Sequence, residues 1–148
     1  MVVTQHGLHY SVIEHLRIKF GVPVEWVRDG YKKPDAKPFI TVEQMQNNYE
    51  ILAKQREAVE TIYRFQVGLH AGNSTQRAQM QELIQQTFIF DRFTYLDTAN
   101  FPATARGFFM CELTAVVPMP AGDVNHASDY HRVYFDIEIE NEKYREAL

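Results

Sequence analysis

Hydrophobic positions along this chain change period in mid-sequence, and the change marks its organising unit. Over Thr61–His70, Tyr63, Phe65, Val67 and Leu69 alternate with Ile62, Arg64, Gln66, Gly68 and His70. A period of two is that of a half-buried strand. Ala71-Gly72-Asn73-Ser74 is a turn cluster, after which the period becomes helical. Met80, Leu83, Ile84 and Thr87 share one face, and Gln76, Arg77, Gln81, Glu82 and Gln85 share the other. Asn73 or Ser74 is placed to accept a hydrogen bond from an early helical N–H.

The same reading extends in both directions. Gly7–Phe20 predicts a helix with Val12, Ile13, Leu16 and Phe20 on one face, stopped by Gly21 and Pro23. Val22–Val27 leans to strand and holds the one tryptophan, Trp26, which reads as a core or rim anchor. Arg28–Pro38 is rich in turn residues and predicts an exposed loop. Phe39–Glu43 predicts a strand. Gln44–Glu60 mixes amides, charges and few apolar residues, and reads as a long hairpin connection more readily than as a helix. Phe88–Leu96 is aromatic and strand-like, and Asp97–Arg106 is a loop. Gly107–Val117 is the most apolar stretch and reads as one strand crossing a sheet. Pro118–Asp129 is a second turn-rich loop. Tyr130–Glu140 alternates cleanly, with Val133, Phe135, Ile137 and Ile139 opposed to Arg132, Tyr134, Asp136, Glu138 and Glu140, and the charged residues after it read as a frayed end. Together these elements predict a single α+β domain over residues 1–148. Its one sheet, mostly antiparallel or mixed and of about six strands, carries two helices packed on one face.

Composition narrows the function classes. A chain of 148 residues with 45% hydrophobic and 23% charged residues supports a folded core. A net charge of −4 disfavours a dedicated nucleic-acid binder. The one cysteine, Cys111, cannot form an internal disulfide, and its apolar context suits a buried thiol. No signal peptide stands out, and no run approaches the roughly 18 apolar residues of a membrane span. Cytosolic synthesis is the default.

Candidate chemistry is sparse. His6, His9, His15, His70, His126 and His131 lack an HExxH pattern or a Cys/His framework, so surface or capping roles are preferred to a metal site. Gly68–Gly72 precedes a helix N-terminus but lacks GxGxxG spacing and a P-loop lysine, so a turn and a cap outweigh an anion site. Asp136, Glu138 and Glu140 read as a solvated or interface face rather than an acid/base pair. No catalytic residue, metal ligand or cofactor is assigned. The interaction reading is stronger. Arg64, Arg132, Tyr134 and Asp136 lie on polar strand faces, and Gln44, Gln46, Asn47, Asn48, Lys54 and Arg56 lie on the long polar connection. These ten are the candidate contact residues.

The order of pieces resembles the tail terminator (tail-completion) proteins of long-tailed bacteriophages. The matching pieces are an N-terminal helix, the strand Pro38-Phe39-Ile40-Thr41-Val42-Glu43, and a long polar connection. A strand then runs into the turn at Tyr63–Asn73, an amphipathic helix spans Ser74–Thr87, and the last strand begins Tyr130-His131-Arg132-Val133. The resemblance implies a homo-oligomeric ring, commonly a hexamer, that caps the tail tube and joins it to the head-closure or connector protein. Genomic DNA would pass through its lumen without sequence-specific binding. It implies a virion protein assembled in the host cytoplasm, with no membrane partner and no enzymatic turnover. The extra segment Val22–Lys37 and the loop Pro118–Asp129 depart from a compact member of the family. The alternatives are a head-closure or other neck adaptor, a partner-binding adaptor that is monomeric until bound, and a small enzyme or ligand-binding domain using His70 or His131.

Overall fold

A computed structural model of the chain describes residues 3–53, 57–119 and 131–144. The first helix, α1 (Gln5–Phe20), starts where Thr4 accepts a hydrogen bond from the Gly7 N–H, and ends at Gly21, whose φ of 64° is open to glycine at no steric cost. After α1 come β1 (Val24–Val27) and β2 (Phe39–Gln44), which pair in parallel. β2 lies antiparallel to the long strand β4 (Ala58–His70), and β4 lies antiparallel to β8 (Arg132–Tyr144) along its whole length. β3 (Asn48–Ile51) pairs with the first half of β4, and β7 (Glu112–Pro118) pairs with the first half of β8. The main sheet is therefore six-stranded and mixed, in the order β1-β2-β4-β8-β7 with β3 beside β4. α2 (Ser74–Phe90) follows β4, and β5 (Arg92–Asp97) with β6 (Thr104–Met110) makes a separate two-stranded sheet.

The α+β class, the mixed six-stranded sheet and the two helices agree with the sequence reading, but the single sheet does not: β5 and β6 form a second one. Several boundaries also differ. The connection at Gln44–Glu60 contains β3 and the start of β4, because a polar hairpin projecting beyond the core gives no apolar alternation. Phe88–Phe90 end α2 instead of opening a strand, and Thr87 accepts the closing bond from the Asp91 N–H. Gly107–Val117 is two strands, not one: the chain turns at Cys111 from the β5–β6 hairpin into the main sheet. β6 already begins at Thr104, inside the expected loop, and β8 runs on to Tyr144 where fraying was expected. Residues 120–129 of the second turn-rich loop lie outside the described residues.

One face of the sheet carries the main core. Tyr63, Phe65, Val67 and Leu69 of β4 and Val133, Phe135, Ile137 and Ile139 of β8 are all buried, together with Leu8, Val12 and Leu16 of α1 and Ile84 and Phe88 of α2. Leu83, expected on the buried face of α2, is exposed, and Phe88 takes the inner position. Phe88 sits 5.9 Å from Phe93 and 6.3 Å from Phe135, and Phe93 sits 5.4 Å from Phe109. This run of rings fastens the small hairpin to α2 and the main sheet; such pairs contribute about 0.5–1.5 kcal/mol beyond their buried area.

Candidate interaction surface

The opposite face of the main sheet is polar for most of its length. Side chains directly opposite on neighbouring strands point the same way. The register therefore places Arg64 and Gln66 of β4 with Glu138 and Asp136 of β8, and Glu60 of β4 between Glu50 of β3 and Glu142 of β8. Glu112 of β7 stands opposite Glu138. Arg64 Nε is 3.4 Å from Glu138 Oε1, and Gln66 donates to Asp136 at 3.4 Å. Arg132 donates to the Tyr134 hydroxyl at 3.1 Å. Burial, and then the nearby carboxylates of Glu140, Glu50 and Glu142, hold the Glu60 carboxyl above its ordinary range.

At one end this face closes over. Phe39 stacks on His70 with ring centroids 4.3 Å apart, and Thr41 Oγ1 is 3.4 Å from His70 Nε2. A Cβ on Gly68 would lie 2.5 Å from Thr41 Oγ1 and 3.1 Å from a Tyr134 ring carbon, so only glycine admits this approach. His70 is thus part of a small second core, and the surface role preferred for it does not hold. The same correction applies to His9. Its Nε2 donates to the Val42 carbonyl at 3.0 Å while the ring stacks on Trp26 at 4.1 Å. Burial lowers its pKa to about 4. Trp26 is half-buried, an anchor at the rim as expected.

The ten candidate contact residues separate into groups. Arg64, Arg132, Tyr134 and Asp136 do come together on the polar face. Gln44, Gln46 and Asn48 are exposed around the β2–β3 connection. Asn47 is a fastener: it donates to Gln5 Oε1 at 2.7 Å and accepts from the Arg64 N–H at 3.4 Å, tying the connection to α1 and β4. Lys54 and Arg56 lie outside the described residues. Glu50, Glu60, Glu112 and Glu142 were missed. The alternation of Glu138 and Glu140 continues to Glu142 in the sequence and could have extended the row, whereas Glu50 joins it only through β3.

Cys111 is buried, and burial pushes its thiol well above the ordinary range, which suppresses the thiolate. The N-terminus of α2 is closed by its own side chains: Asn73 Oδ1 accepts from Gln76 N–H at 2.8 Å, and Gln76 Oε1 accepts from Gly72 N–H at 2.7 Å. Among the described residues no group of three or more His, Cys, Asp or Glu side chains is placed to hold a metal ion. No described helix is long and apolar enough to cross a membrane. The sequence matches no protein-family model and no curated protein.

Proposed function

We propose that the chain is a ring-forming structural protein of a long-tailed bacteriophage, a tail terminator that caps the tail tube and joins it to the head connector. The resemblance in element order motivates the reading. The observation that carries it is the row of carboxylates on the polar face, which outnumber the cations Arg64 and Arg132 there. Glu50, Glu60 and Glu142 stand side by side across three paired strands, and Glu140, Glu138, Asp136 and Glu112 continue the row. Like charges directly opposite one another weaken a sheet, so such a row works against stability. Duplex DNA carries about one negative charge per 1.7 Å of axis. A lumen lined by this face would repel the DNA that passes through it and keep it from sticking. Arg132 and Tyr134, at one end of the acidic row, and Arg64, paired to Glu138 within it, would serve contacts between subunits or with the connector.

Three measurements test the proposal together. Native mass spectrometry should show a closed oligomer, either alone or after mixing with tail tubes, and electron microscopy should place it at one tube end, where it stops further polymerisation. Reversing Glu60 and Glu140 to Lys should leave the ring intact and make it retain DNA in a salt-dependent gel shift. A protein that stays monomeric and leaves tube ends bare would falsify the proposal.

A further inference from the structure

β8 is paired with β4 from Arg132 to Tyr144, but with β7 only from Val133 to Glu138. β6, which precedes β7 across Cys111, lies away from this edge and pairs with β5 instead. Beyond Glu138, no strand among the described residues covers the outer edge of β8. The backbone N–H and C=O groups of an uncovered edge strand are a template for another strand. A cleft of about 390 Å³ lies against this edge. One wall is Phe108–Glu112 and the other is Glu138–Asn141, with Val3, Leu8 and Tyr95 between them.

We propose that this cleft binds an extended peptide segment of a partner protein, which adds a strand to β8 in the place β7 vacates. Strands sit about 4.8 Å apart, so one strand fills one ladder position. Register then dictates the chemistry of the occupant. A residue opposite Ile139 points to the core side, toward Leu8 and Tyr95, and is apolar. A residue opposite Glu140 points to the polar side, where Glu112 and Glu138 also lie, and is cationic. Glu138 already has Arg64 at 3.4 Å, so Glu112 and Glu140 are the carboxylates that select the charge. The partner strand therefore alternates Lys or Arg with Val, Ile or Leu. Main-chain bonds supply the affinity and the alternating side chains supply the selection, the usual division in strand addition. This site does not depend on the phage reading.

The test uses the full chain and a synthetic peptide, acetyl-Lys-Val-Lys-Val-Lys-Val-amide, with calorimetry and amide NMR. Binding is expected to be tighter than about 1 mM, with shifts centred on Ile139–Asn141. The double variant Glu112→Lys, Glu140→Lys, folded by circular dichroism, should bind at least about tenfold more weakly. A peptide N-methylated at alternate amides should lose binding in the register where the methyls face β8, and a Glu-Val peptide should not bind. The inference is overturned by shifts that fall elsewhere, or by binding that N-methylation leaves unchanged, which would mean charge attraction alone. Self-association that buries Ile139–Asn141 and excludes the peptide would also overturn it, because the occupant would then be a second copy of the chain.

Discussion

A glycine in the interior of a helix usually costs about 1 kcal/mol against alanine, through lost backbone entropy. Gly7, in the first turn of α1, is held to glycine by packing instead. A Cβ at Gly7 would press on the Tyr95 hydroxyl and lie 2.8 Å from the ring carbon that bears it. Tyr95 cannot swing aside: it is 1% exposed, and its hydroxyl accepts the Thr4 N–H at 3.1 Å. The close approach is what lets α1 lie on β5, where Ser11 Oγ accepts the Leu96 N–H at 2.8 Å. Gly7→Ala is therefore expected to destabilise by about 1–3 kcal/mol in urea unfolding, the range for overpacking, in spite of the better helix propensity. Adding Tyr95→Phe should recover part of the loss by removing the hydroxyl. A stabilising Gly7→Ala would contradict the packing of α1 on the hairpin.

At the scale of elements, the part least legible in the sequence is the three-stranded extension of β3, the start of β4 and the end of β8. Its exposed strand β3 presents Tyr49 and Ile51 to solvent, so no apolar stripe announces it. The same logic explains Gly107–Val117, where a continuous apolar run hides the turn at Cys111 between two sheets, since hydrophobicity reports burial and not pairing partner. The middle of β4 and of β8, and α1, by contrast, have one covered face each and could be read from period alone. In the extension the acidic register makes its own prediction. The Glu60 carboxyl is raised in the folded state, so its ionisation opposes folding: stability is whole below the unfolded carboxylate pKa, about 4.3, and falls as pH rises through the folded value. Glu60→Gln should raise the melting temperature at pH 7, and the gain should vanish below about pH 4. An equal gain at both pH values would mean that the charge row is not its source.

For the whole molecule, His9 is the side chain through which the helix layer, the sheet and the rim anchor meet. It projects from α1, bonds β2 through Val42, stacks on Trp26 of β1 and meets Phe65 of β4 edge-on at 5.0 Å. The sequence showed its spacing from His6 but not its neighbours, because they come from strands far away in the chain. The neutral ring suits this place. Burial disfavours the charged form, and nearby His6 and Arg28 add to that, against the raising effect of the Val42 carbonyl. With a folded pKa of about 4 against 6.5, the unfolded chain takes up the proton first. The contribution is full above pH 6.5 and is lost as pH falls toward 4. The shift corresponds to about 3 kcal/mol, a sizeable share of the 5–15 kcal/mol of an ordinary domain. Glu60 works in the opposite sense, so the wild-type curve alone mixes the two, and the difference between variants separates them. Urea unfolding of wild type and His9→Gln at pH 7 and pH 4.5 should show the wild type losing stability on acidification while the variant, which keeps a donor for Val42, loses markedly less. Parallel losses in both proteins would assign the acid sensitivity to another group and leave His9 a packing residue only.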